Sequence, residues 1–251
     1  MLELLMTVLL VAILGVCLRV LHKVQHMHKM TYVLATESSE THREVLSLYA
    51  QLQSLAALER RLSLADPLPP LRGWAGSPDF LLQVALEVGR SRPYCVLECS
   101  SGVSTLVVAR SLQQVGHGHV YSLEHEPRFA EQTRSLLRQH GLTDWATVID
   151  APLEVGEDGR TWYRVSALPQ TVRDVALLVI DGPPASVGPL ARYPALPRLR
   201  ERLAPGFALL LDDAGREDEG EVVRRWCSEW PALQLQQLPA EKGLVRLVRA
   251  G

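Results

Sequence analysis

An acidic residue closes each of a series of short apolar runs in this chain. Glu98 follows Val96-Leu97, Glu124 follows Ser122-Leu123, and Asp150 follows Val148-Ile149. Asp181 ends the run Val175–Ile180, and Asp212, with Asp213 beside it, ends Leu209–Leu211. Carboxylates can accept paired sugar hydroxyls, hold a hard cation or take a proton from a nucleophile. One acid after a strand is ordinary turn or cap chemistry. A row of them on one rim would repel unless a ligand organised it. The first acid leads into Ser100-Ser101-Gly102-Val103-Ser104-Thr105. Side chains this small let backbone amides approach a ligand at a helix N-terminus.

The elements that would position these acids alternate between strand and helix. The pattern predicts strands at 94–98, 117–124, 146–150, 174–181, 207–212, 233–238 and 244–248. It predicts helices at 78–88, from the 100–105 turn to about 114, at 126–140, at 189–203 (in spite of Pro194 and Pro197) and at 218–230. Such alternation implies a doubly wound, mostly parallel α/β sheet. Ligands of such sheets bind beyond the carboxyl ends of the strands, where all these acids would lie.

Residues 4–21 carry Leu, Val, Ile and Met with a single charge, Arg19, and approach the length of a spanning helix. We expect a membrane anchor at 1–22, a helical stalk at 23–70 and the α/β domain at 71–251. A buried core helix is the alternative for the first segment. Arg19, Lys23, Lys29 and Arg43 follow the span, which would make it single-pass with the domain cytoplasmic. Val45, Leu48, Leu52, Leu55 and Leu62 predict an amphipathic helix over 41–63, capped by Ser38, Ser39 or Thr41. That helix would either pair chains into a homodimer or pack on its own domain. Asp66-Pro67-Leu68-Pro69-Pro70 would end it.

The formal charge of −2 over 251 residues argues against a nucleic-acid partner. Cys17, Cys95, Cys99 and Cys227 form no metal-ligand spacing and read as reduced thiols. No Gly-Lys-Ser/Thr element exists for a P-loop. The turn after Glu98 has one glycine where an NAD-binding fingerprint has three.

The ordered segments Val96–Thr105, Tyr121–His125, Ile149–Pro152, Val179–Pro184 and Leu210–Asp213 resemble the class I S-adenosylmethionine-dependent methyltransferases over residues 74–248. The first is similar to their E-x-G-x-G-x-S-T motif. Asp181-Gly182-Pro183-Pro184 and Leu211-Asp212-Asp213 look most like small-molecule enzymes loosely similar to the catechol O-methyltransferases.

The resemblance implies a Rossmann-like, seven-stranded methyltransferase fold and S-adenosylmethionine as cofactor. Glu98 would position the methionine part, with Ser100, Ser101, Gly102 and Ser104 in the turn against it. Glu124 would accept the ribose hydroxyls beside His125, Asp150 and Ala151 would flank the adenine, and Asp181 would also contact the cofactor. Asp181 and Asp212 would be catalytic, and Asp181, Asp212 and Asp213 could hold Mg2+. The chain departs from the pattern twice. Gly182-Pro183-Pro184 stands where the catechol-type enzymes carry a lysine base. Ser100 replaces the first glycine, so the turn should avoid positive φ there. His125 could serve as a base or simply pack beside the cofactor. Trp162, Tyr163, Arg192 and Tyr193 could form the acceptor pocket. The acceptor would be a small molecule or, given the expected anchor, a glycan or lipid-linked compound. A membrane-anchored, non-catalytic scaffold is the alternative function, and an NAD-dependent oxidoreductase a weaker one.

Overall fold

The structure, a computed structural model, describes residues 1–71 and 75–249, with the side chains of 2–5, 7, 8, 11, 12 and 32–44 excepted. The chain divides into two compact units, Met1–Ala50 and Gln51–Gly251.

The first unit is the leading part of one helix, α1 (Leu2–Leu62). Among the described residues no helix is long and apolar enough to cross a membrane. Arg19 and Lys23 interrupt the apolar run within a helix that continues past them, and some side chains of the expected span lie outside the described residues. This corrects the anchor at 1–22. The single-pass placement, the membrane partner, the cytoplasmic side and the lipid-linked or glycan acceptor rested on it and fall with it. The helix expected over 41–63 is instead the later part of α1, so Ser38, Ser39 and Thr41 stand inside a continuous helix and cap no N-terminus.

The second unit begins with the end of α1, which packs on its own domain. Leu58 and Leu62 are fully buried in the core, while Leu48 and Leu52 are exposed. The last carbonyls of α1 have no helical partners. Arg110 Nε donates to Leu62 O (2.7 Å), Arg110 Nη2 to Ser63 O (2.9 Å) and Gln114 Nε2 to Leu62 O (3.0 Å).

The remaining elements are α2 (Pro78–Ser91), β1 (Cys95–Cys99), α3 (Val103–Val115), β2 (His119–Glu124), α4 (Pro127–Gln139), β3 (Ala146–Asp150), β4 (Leu153–Val155), β5 (Thr161–Tyr163), β6 (Val175–Ile180), α5 (Ala195–Leu199), β7 (Leu203–Leu211), α6 (Glu217–Glu229), β8 (Leu233–Leu238) and β9 (Leu244–Arg249). A seven-stranded sheet runs β3-β2-β1-β6-β7-β9-β8. Its pairings are parallel except at β9, which is antiparallel to β7 and β8. The α/β Rossmann-like fold is therefore as expected, with a mixed sheet. Side chains alternate between two cores. Val96, Leu177 and Val179 face the core under α2, α3 and α4; Leu97, Leu178 and Ile180 face the one holding Trp162, Leu199 and Trp226.

The chain leaves β1 toward β2 and β3 on one side, then returns to place β6 and β7 on the other. A crevice opens where the order reverses, at the carboxyl ends of β1 and β6. Cys99 pairs with Ile180 there, and the Asp181 amide donates to Cys99 O (3.2 Å).

One local expectation is corrected, and one element has no counterpart in the sequence pattern. The helix at 189–203 is only α5 with a 3-10 turn at Arg200–Arg202, because Pro194 and Pro197 lack the amides a longer helix needs, and Leu203 already starts β7. The hairpin β4–β5, with strands too short to carry a readable period, fills the connection after β3.

Candidate functional site

Two adjoining cavities of about 730 and 380 Å3 open over the crevice and share Ser100, Ser101, Phe129 and Asp181. The smaller is floored by the turn after β1. Gly102 has φ +147, with open space where a side chain would point. Ser100 has φ +114, which corrects the expectation that this serine avoids positive φ. Its amide, bonded to Leu123 O at 3.0 Å, ties the turn to β2 and leaves the strained backbone in place. Gly182 faces the same turn. A Cβ there would stand 2.5 Å from the Tyr163 hydroxyl and 3.1 Å from Ser100 Cβ.

Glu98 lies beneath this turn, fully buried. Its Oε2 accepts the Ser122 (2.7 Å) and Thr105 (2.5 Å) hydroxyls, and Thr105 Oγ1 accepts the Gly102 amide (3.1 Å). Burial raises its pKa against the opposing hydrogen bonds of Ser104, Ser122 and Thr105. Oε1 has no partner. Glu98 thus braces the turn from below and lines neither cavity.

Glu124 ends β2 and lines the larger cavity. Its Oε1 accepts the His125 (2.8 Å) and Glu126 (3.0 Å) amides. Its Oε2 accepts the Ser101 amide (3.2 Å) and hydroxyl (2.9 Å). Burial alone would raise its pKa, but His125, the Glu126 amide and Ser101 outweigh it and hold the carboxylate below its usual range. The Ser101 hydroxyl also lies 3.0 Å from Thr133 Oγ1, a second acceptor it can turn to. His125 places Nδ1 3.2 Å from Glu124 Oε1 and meets the Tyr163 ring edge-on at 5.8 Å.

Asp150 goes elsewhere. It is exposed, pairs with Arg134 at 2.7 Å and lines neither cavity; Ala151 is buried and donates its amide to Glu124 O at 2.7 Å.

Asp181, Asp212 and Asp213 meet at the ends of β6 and β7, each with an oxygen within 4.8 Å of the others. Burial, and then the neighbouring Asp212, pushes Asp181 well above the carboxylate range; burial, and then Asp213, raises Asp212. Asp212 Oδ1 and Asp213 Oδ1 are buried without partners. Arg192, only 3% exposed, reaches into the cluster. Its Nη1 donates to Asp212 O (2.8 Å), and Nη2 donates to Asp181 O (3.0 Å) and Asp213 Oδ2 (2.8 Å). Nη2 also stands 3.4 Å from Asp181 Oδ1. Magnesium needs near-ideal octahedral oxygen ligation at about 2.1 Å. A guanidinium already touching two of the three acids does not leave that geometry, so the residues present do not fit the ion.

Of the residues named for the acceptor pocket, Arg192 and Tyr163 line the larger cavity. Trp162 is buried in the core, and Tyr193 bonds Glu229 at 2.7 Å away from it. Arg216 and Lys242 also line the cavity and are not marked by any sequence motif. Lys242 arrives because the Ala214 and Gly215 amides donate to Gly243 O (3.0 Å) and Lys242 O (2.9 Å), zipping the loop after β7 to the β8–β9 turn.

Residues 97–214 match the family model described as a methyltransferase domain. No curated protein matches the chain. The fold is similar to that of the Podospora anserina methyltransferase PaMTH1, solved with S-adenosylhomocysteine, at 14% identity and a TM-score of 0.58, covering 83% of this chain and 95% of that one. It is similar to an O-methyltransferase from Bacillus cereus, also solved with S-adenosylhomocysteine, at 18% identity, 82% and 97% coverage and a TM-score of 0.55. A third similar fold is the Streptomyces achromogenes O-methyltransferase TomG, involved in tomaymycin synthesis and solved with S-adenosylmethionine (18% identity, 82% and 96% coverage, TM-score 0.53). Residues 97–214, a little under half of the chain, thus match a methyltransferase-domain model, and the chain shares the fold of these solved methyltransferases.

Proposed function

We propose that the domain methylates an oxygen nucleophile of a small-molecule acceptor, held in the larger cavity against Asp181 and Asp212. The observation that carries this reading is the opening of one crevice onto both the Ser100–Gly102 turn with Glu124 and the Asp181–Asp212 pair. S-adenosylmethionine supplies a methyl group already activated on a sulfonium. The protein's task is then to align the nucleophile and exclude competing water.

Glu124 is a carboxylate held ionised, with an exchangeable hydroxyl partner in Ser101, and suits a ribose diol. The turn beside it offers close backbone approach to the methionine part. Phe129, Leu153 and Tyr163 give the cavity apolar walls. Asp212, pushed up to about 6 by burial and then by Asp213, is a stronger base than an ordinary carboxylate yet mostly ionised at neutral pH, which suits it to receive the acceptor's hydroxyl proton; Asp181, pushed up to about 8, can do so only in alkaline solution. Similar folds described as O-methyltransferases support oxygen as the nucleophile.

Calorimetric titration with S-adenosylmethionine tests the cofactor half. We expect saturable binding, weakened about tenfold or more in Glu124→Ala as charge-assisted hydrogen bonds are lost. Equal binding by both proteins would remove Glu124 from the site. Methyl-labelled cofactor offered with hydroxylated small molecules tests the other half. Asp212→Asn should slow transfer at neutral pH by about 100-fold, the lower range for loss of a general base.

A further inference from the structure

Four carboxyl groups gather at the ends of β6 and β7 around one buried guanidinium. Asp181, Asp212, Asp213 and Glu219 are buried or nearly so, and Arg192 is the buried cation among them. Arg216 contributes from the half-exposed rim, 2.9 Å from Asp213 Oδ2.

We propose that the Arg192 guanidinium is the resident cation of this site: it spans the ends of β6 and β7 and keeps the acid trio from taking, or needing, a divalent metal.

Three features of the geometry carry this. The guanidinium bonds both strand ends through main-chain carbonyls, Asp181 O and Asp212 O, as well as a side chain, Asp213 Oδ2. It therefore fixes the spacing of the acids and screens their charge together. It also cannot leave by losing a proton, since arginine stays charged in proteins. Nor can it easily swing aside, because α6 grips the chain on either side of it. Asp218 Oδ2 accepts the Leu190 amide at 3.1 Å, and the Trp226 indole donates to Tyr193 O at 3.0 Å. Finally, the buried and unpartnered Asp212 Oδ1 and Asp213 Oδ1 show that the acids keep unused ligating capacity. With Arg192 removed, that capacity joins the oxygens it now covers, and a hard cation gains a site.

Arg192 acts here as a positioning residue, and the proposal rests on the methyltransferase reading only for its consequence, transfer without metal. The test is calorimetric titration of the full-length protein with MnCl2 and with MgCl2. Wild type and Arg192→Lys should show no saturable binding up to millimolar metal, since both keep a cation in place. Arg192→Met, which keeps the bulk and removes the charge, should gain a saturable site at least about tenfold tighter than any wild-type response. Submillimolar binding by wild type overturns the proposal. So does a folded Arg192→Met protein that binds no metal. Should Arg192→Met fail to fold, the wild-type and Arg192→Lys titrations still decide, because metal binding by either overturns it. S-adenosylmethionine titrated into the same wild-type sample separates the two readings. Absent cofactor binding would remove the proposed function and leave the metal result standing.

Discussion

Ser100 bears a strain that a neighbouring residue type would not. A side chain at φ +114 costs on the order of 1–3 kcal/mol, and glycine adopts that angle freely. Ser100→Gly should therefore raise stability by about 1 kcal/mol in urea denaturation, and an unchanged midpoint would show the turn to be relaxed. Asp181 gives a pH signature of unusual sign. Its pKa is pushed up to about 8, by burial first and Asp212 next, from 3.8. Between those values the folded protein holds a proton that the unfolded chain has released. This contribution to stability is complete below the lower value and is lost as pH rises toward the upper one. The slope approaches at most about 1.4 kcal/mol per pH unit. Denaturation of wild type should thus become easier from about pH 5 to about pH 8, and Asp181→Asn should flatten that decline. A decline of equal size in both would place its cause elsewhere. At this scale the acids were legible because each follows an apolar run directly. The placement of Arg192 between them was not, since it depends on α6 gripping a loop distant in sequence. Glu98 and Asp150 show the other limit: position in a motif does not tell whether a carboxylate faces the crevice, a buried hydroxyl or a surface arginine.

Elements were legible where burial imposes a period. β6 is apolar throughout because both of its faces are covered, and its limits agree with the expected strand to within a residue at each end. The alternation that separates Val96 from Leu97 likewise follows from the pleat. The β4–β5 hairpin has no such period, yet it places Tyr163 in the cavity wall opposite Gly182. Crowding there is predictable. Gly182→Ala must displace the buried Tyr163 ring or the Ser100 turn, and should cost about 1–3 kcal/mol. Cofactor affinity should fall with it. Thermal melting with and without S-adenosylmethionine measures both effects, and an unshifted melting point would show the ring to be mobile.

For the molecule as a whole, the compact unit starts at Gln51, inside a helix that runs on from Leu2. Deleting residues 1–50 should change the stability of the remainder by less than about 0.5 kcal/mol. Extending the deletion through Leu62 removes two fully buried leucines and should cost about 4 kcal/mol or more. Equal effects of both deletions would contradict the packing of Leu58 and Leu62. The carboxylate at Glu124 has a consequence for turnover as well. Its oxygens are already satisfied, so on the proposed reading a ribose docking there would exchange the Ser101 hydroxyl for another rather than fill a vacancy. Reactant and spent nucleoside carry the same sugar, and a grip that trades like for like lets go of either with little resistance. Departure of the demethylated product would then be quick, leaving the pace of each cycle to the acceptor's arrival or to the transfer itself.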